Sequence, residues 1–193
     1  KRIMKKFKLI MTVAVLAVIS YSCNNSTVER MVDKMQPEPV VIEQEGAGFF
    51  TSEPGEKFVV GSDEVMDIWM KYIDAHNNQD MESILAMETD SIFILSPDGT
   101  SIRGKENHKA ALSAWFEAAN PKWNVYWGMP YKGVTGGAEW IIAGHLVTQT
   151  IDGVEVKHRD MIDGYINDDG LVSMFFVYNS QIPTPVSEEA SEE

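Results

Sequence analysis

Residues 62–99, SDEVMDIWMKYIDAHNNQDMESILAMETDSIFILSPDG, do most to narrow what this chain can fold into. Val65, Ile68, Trp69, Tyr72, Ile73 and His76 recur at i, i+3, i+4, i+7, i+8 and i+11, the spacing that lines one face of an α-helix. A helix with such a stripe must lay it on an apolar surface, and the strand-rich second half supplies one as a curved sheet. Ser62 is the expected N-cap, with Asp63 and Glu64 in the first turn, where the helix dipole favours acids. The helix is expected to end near Asn77 and Asn78, which suit a left-handed C-cap. Asp80 then caps a second, short helix with Met81, Ile84 and Leu85 on its inner face. A strand over 91–95 runs into Ser96-Pro97-Asp98-Gly99, a type I turn with Pro second and Gly fourth, and 100–102 return from it.

Residues 104–119 read as a third helix, with Leu112, Trp115, Phe116 and Ala119 on one stripe. Asn120-Pro121 stops it, because the residue before proline avoids helical geometry. Four strands are expected at 123–131, 139–150, 154–166 and 171–180. The short glycine-bearing loops between them favour antiparallel neighbours. Helices segregated to one side of an antiparallel sheet make an α+β arrangement.

Residues 1–23 read as a targeting segment. Lys5, Lys6 and Lys8 precede an apolar run over 9–19 that is interrupted only by Thr12. MKKFKLI, from Met4, is the more usual opening of such a segment. The run is too short to span a bilayer, which takes about 20 residues, so it is expected to be a cleaved signal peptide. Cys23 is the only cysteine and ends the stretch VISYSC. That stretch resembles a bacterial lipobox, although Ser20 and Tyr21 stand where Leu and a small residue are usual. The expectation is lipidation of Cys23; plain cleavage after Ser22 is the other reading. A triacylated cysteine anchors stably. Asn24, not Asp, follows it, which implies an outer-membrane lipoprotein of a diderm bacterium, in the cell envelope on the periplasmic side or the surface.

Residues 24–61 carry Pro37, Pro39, Pro54, Gly46, Gly48, Gly55 and many acids, the composition of a flexible linker. Phe49-Phe50 or 58–60 could dock on the edge of the domain expected over 62–182. Residues 183–193 form an acidic tail. Without the first 23 residues the chain keeps 11 Lys and Arg against 29 Asp and Glu, a formal charge of −18. Such a surface repels nucleic acid and anionic lipid, so nucleic acid is not an expected partner.

KYIDAHNNQDMESILAMETDSIFILSPDGTSIRGKE, followed later by Asn167-Asp168-Asp169-Gly170-Leu171-Val172, resembles the nuclear transport factor 2-like superfamily in its SnoaL-like and ketosteroid-isomerase-like branch. The resemblance spans 62–181 and lies in the order of elements: amphipathic helix, Asn/Asp corner, short helix, strand, D-G…R-G-K-E hairpin, third helix. It implies a cone-shaped roll, three helices packed in a strongly curved, mainly antiparallel sheet, with an apolar pocket open at one end. In ketosteroid isomerases a first-helix tyrosine donates to an oxyanion, and Tyr72 falls at that place. Their general base sits at the end of the first strand, where this chain has Ser96. Their second acid corresponds to the neighbourhood of Ile162, flanked by Asp160 and Asp163. In SnoaL-like cyclases a strand histidine and aspartate work together, which His145 and Asp160 could match.

Asp160 and Asp163 differ by three, so a regular strand points them to opposite faces. Asp160 shares a face with Ile162, Gly164 and Ile166 and is the better inward residue. An acid in an apolar pocket has a raised pKa that suits acid–base work. Asp160, His145 and Tyr72 are thus the catalytic candidates, against core packing for Tyr72 and outward ion pairs for the aspartates. Trp69, Tyr72, Ser96, Trp115, Trp127 and Ile162 are the candidate ligand-binding residues, against ordinary core packing for the tryptophans. His76 is expected to cap or pack, and His108 to face solvent. His158 and Asp160 could begin a metal site, but no compact ligand spacing follows. No phosphate-cradling glycine loop occurs, so neither metal nor cofactor is expected. The leading expectation is a membrane-anchored domain that binds a small, flat apolar molecule. The others are an isomerase, cyclase or dehydratase, and a homodimeric interaction module.

Overall fold

The computed structural model describes residues 45–49, 55–137 and 139–182. Cys23 with its targeting segment, most of the 24–61 linker and the 183–193 tail lie outside the described residues. No helix among those described is long and apolar enough to cross a membrane.

The elements in chain order are β1 (Phe58–Val60), α1 (Asp63–Asn78), α2 (Met81–Ala86), β2 (Glu88–Leu95), β3 (Ser101–Arg103), α3 (Lys105–Ala119), β4 (Lys122–Gly133), β5 (Glu139–Ile151), β6 (Val154–Ile166) and β7 (Val172–Gln181). The seven strands form one unclosed sheet in the order β1-β4-β5-β6-β7-β2-β3. All pairs are antiparallel except β2 with β7, which runs parallel. The α+β class and the curved, mainly antiparallel sheet around helices are as the sequence implies. The segment 58–60, assigned by composition to the linker, adds an edge strand against β4.

The α1 stripe is buried as its spacing demands: Val65, Trp69, Tyr72, Ile73 and His76 lie inside, and Ile68 packs beside them. Each large apolar side chain so buried contributes about 1.5–3 kcal/mol. Gly164 on β6 makes room for this helix, since a Cβ there would stand 3.2 Å from the Trp69 ring and 3.3 Å from Ile141. Local signals at the helix ends shift slightly. Ser62 has extended N-cap geometry, but its hydroxyl and N–H donate to Glu139 Oε2 at 2.8 Å. The left-handed C-cap residue is Gln79, at φ 56°, one position past the expected asparagines. Asn77 instead ties the helix to β4, accepting from Trp123 N–H and donating to Trp123 O, each at 2.8 Å. Asp80 does cap α2, accepting from Ser83 N–H at 3.1 Å.

The sheet bends at register shifts within β4, between Val125 and Trp127, and near the start of β2 and the end of β6. Bulges of this kind insert an extra residue and reverse the alternation beyond it. On β4, Trp123 and Val125 face the core before the bulge, and Gly128 and Pro130 face it after.

Candidate functional site

A cavity of about 250 Å³ lies between α1, α3 and the inner face of the sheet. Its walls are mostly carbon, from Trp69, Ile73, Leu112, Trp115, Ile162 and Phe175 among others, and Ser96 and Pro97 stand at its rim. Of the expected ligand-binding residues, Trp69, Tyr72, Ser96, Trp115 and Ile162 line it. Trp127 does not: it is 41% exposed on the outer face of the sheet. The β4 bulge turns it outward, and its indole lies across Gly144, where a Cβ would come within 2.2 Å of Trp127 Nε1.

Strand alternation places Asp160 as expected, buried on the inner face with Ile162 and lining the cavity. Its Oδ1 accepts from Asn179 Nδ2 at 2.9 Å and lies 3.4 Å from His158 Nε2. Burial raises its pKa, while His158 and Asn179 pull the other way. Asp163 points to the opposite face and accepts from the Tyr131 hydroxyl at 2.7 Å. His145 is the cross-strand partner of Asp160 but does not line the cavity. It is fully buried behind Trp69, whose Nε1–H donates to His145 Nε2 at 3.1 Å. Burial lowers the His145 pKa to about 4, against opposing backbone groups of Asp160 and Ala143, so the ring is neutral near pH 7. The catalytic candidates are therefore not one hydrogen-bonded group: Tyr72 and Asp160 share the cavity, and His145 supports its wall.

Tyr72 donates its hydroxyl, at 2.5 Å, to Oε1 of Glu88, a completely buried carboxylate that sequence reasoning missed. Burial, and then the neighbouring Glu88 charge, hold the Tyr72 hydroxyl well above its ordinary pKa. The same Oε1 meets His108 Nδ1 at 2.7 Å, so His108 is not at the solvent-facing position expected for it but buried in the cavity wall. Both signals were present in the sequence. His108 stands four before Leu112 on the α3 stripe, and Glu88 shares even-numbered parity with inward Ile92 and Ile94. His76 packs its ring 4.3 Å from Tyr72 and 6.1 Å from His108. Burial lowers its pKa to about 4, and His108 adds to the effect. Among the described residues no cluster of three or more His, Cys, Asp or Glu could hold a metal ion.

No family model and no curated protein sequence matches the chain. Solved structures do. A ketosteroid isomerase-like protein from Erwinia carotovora atroseptica aligns at TM-score 0.51 and 13% identity, over 62% of this chain and 96% of that one. RV0760c from Mycobacterium tuberculosis, in complex with estradiol-17beta-hemisuccinate, aligns at 0.51 and 19% identity, over 60% and 92%. A computationally designed 17-OHP binder aligns at 0.50 and 19%, over 60% and 92%. At these identities the likeness is one of fold, and the chain has the curved-sheet, cone-type fold of nuclear transport factor 2-like proteins.

Proposed function

We propose that this chain is a membrane-anchored, extracytoplasmic domain that binds a small, flat apolar molecule in its cavity. The observation that carries the reading is the lining: aromatic and aliphatic side chains around about 250 Å³, with few polar groups, the make-up of small-molecule sites. Two structures of similar fold, one in complex with estradiol-17beta-hemisuccinate and one a 17-OHP binder, support it. The anchor rests on Cys23 at the end of the apolar leader. The test is to extract purified protein and identify co-purified molecules by mass spectrometry. An apolar small molecule, lost on Ile162→Trp with the fold retained, is expected. Retention by that variant overturns the reading. For the anchor, Cys23→Ala should abolish labelling by an alkyne fatty acid and release the protein to the soluble fraction; unchanged labelling refutes it.

An isomerase, cyclase or dehydratase built on Asp160, His145 and Tyr72 has less support. The Tyr72 hydroxyl and His145 Nε2 are already engaged within the protein, and Ser96 stands where the fold's isomerases carry their base. A homodimer has a specific observation behind it. Trp127, Met161 and Tyr178, 41–53% exposed, lie in register across the outer sheet face, with Gly144 between the first two. Such an apolar row marks an interaction surface. Light scattering should give twice the chain mass, and a strict monomer at high concentration excludes it.

A further inference from the structure

Glu88 is an acidic side chain that is completely buried. An ionised carboxylate removed from water costs several kcal/mol unless well-placed partners offset it. Here both donors, the Tyr72 hydroxyl and His108 Nδ1, crowd onto Oε1, while buried Oε2 has no partner. Replacing Glu88, Tyr72 and His108 together by packed apolar residues would cost little or nothing in stability. What the carboxylate does achieve is orientation. The Oε1 that already accepts from the Tyr72 hydroxyl is an acceptor, so the His108 Nδ1 that faces it carries the hydrogen. The ring's other nitrogen, Nε2, belongs to a ring that lines the cavity, and in the tautomer with its hydrogen on Nδ1 it is the side that carries the lone pair. Among the described residues Nε2 has no protein partner.

We propose that His108, positioned by Glu88, presents Nε2 to the cavity as the hydrogen-bond acceptor for the hydroxyl of the ligand, which is a phenol or enol carried on a flat apolar skeleton. This rests on reading the cavity as a small-molecule site. The chemistry selects the class. The carbon walls fit an apolar ring system. An acceptor nitrogen asks for a donor, so a ketone or ether oxygen gains nothing from it. No Lys or Arg lines the cavity among the described residues, so an anionic group would enter without a counter-charge. Tyr72 holds the other side of Oε1 and fixes the carboxylate that fixes the imidazole.

The test compares two probes with one skeleton, 2-naphthol and 2-methoxynaphthalene, by fluorescence titration of the full chain carrying Cys23→Ser. The naphthol should bind about tenfold more tightly or better, the worth of a hydrogen bond whose loss strands a buried partner. In His108→Phe the two probes should bind alike. Equal binding of both probes to the parent protein overturns the acceptor role and leaves the apolar site standing. Binding of neither overturns the apolar site itself. Should His108→Phe fail to fold, long-range ¹⁵N–¹H spectra of the parent protein decide instead. His108 should show the Nδ1–H tautomer, and its Nε2 resonance should move with 2-naphthol and not with the ether. An Nε2–H tautomer, or an unmoved resonance, overturns the proposal. Glu88→Gln should reduce the naphthol preference severalfold and mix the tautomers. A tautomer and preference both unchanged would show that Glu88 does not position the ring.

Discussion

On the helix side of the cavity, Glu88, His108 and Tyr72 are buried, and three elements distant in sequence, α1, β2 and α3, meet at one carboxylate oxygen. On the sheet side, His158, Asp160 and Asn179 come from two neighbouring strands, and Asn179 remains exposed. Both groups are carboxylate–histidine pairs with a third polar partner, yet the second is the more open to water, with its histidine side chain 13% exposed against 4% in the first. A buried pair must satisfy its donors internally, because losing a partner strands a desolvated group. A pair near the rim can trade protein partners for water. The helix-side group is therefore expected to govern stability, and the sheet-side group to adjust with little loss.

Glu88→Ala tests that contrast most severely. It removes the acceptor of two buried donors at once and should cost about 3 kcal/mol or more, read as a lowered midpoint in urea denaturation. A loss under about 1 kcal/mol would erase the distinction between the walls. Next in size is the response to acid. His76 and His145 have folded pKa values of about 4 against an ordinary 6.5, so below 6.5 the unfolded chain binds protons that the folded one refuses. Their contribution is complete above pH 6.5 and is lost as pH falls through about 4, at up to about 1.4 kcal/mol per pH unit for each. Asp160 and Asp163, raised by burial from 3.8, act the other way: their contribution is full below 3.8 and is lost as pH rises through their raised values. They soften the slope only at the acid end. His76→Phe keeps the ring packing and should roughly halve the slope between pH 6.5 and 4; an unaltered slope would assign it elsewhere. Asp160→Asn should change stability by less than about 1 kcal/mol, since an amide oxygen still accepts from Asn179. Asn179→Ala, at an exposed position, should stay within about 0.5 kcal/mol. A large loss from either would make the sheet-side group structural as well.

How much of this was legible follows from which residues obeyed a simple period. The α1 stripe, the α3 stripe and the inward parity of Asp160 and Ile162 were readable because a helix face and a strand face repeat regularly. Trp127 was misplaced because a bulge carries no sequence mark of its own and flips everything beyond it. Glu88 and His108 were overlooked because each reads locally as a solvated residue, one leading into a strand and one in a helix's first turn. What makes both internal is their meeting across 20 residues, and pairing at that range is set by the sheet, not by neighbours in the chain. The lipobox-like Cys23 is the reverse case, a purely local pattern on which the described residues do not bear.

The parallel seam between β2 and β7 has a consequence in time. Glu88 lies opposite Val172 in that seam, and Val172 N–H donates to Met87 O at 2.8 Å, so the acid's final surroundings wait on the last strand to arrive. Pairings that span a long stretch of chain close late, because the loop entropy must be met before any contact rewards it. A half-assembled set of helices and early strands would leave the carboxylate wet, with nothing yet asking it to surrender its hydration. The step that completes the architecture is thus also the one that dries the acid and locks the imidazole beside it, so a chain truncated before β7 would lack the poised nitrogen as well as the strand that joins β6 to β2.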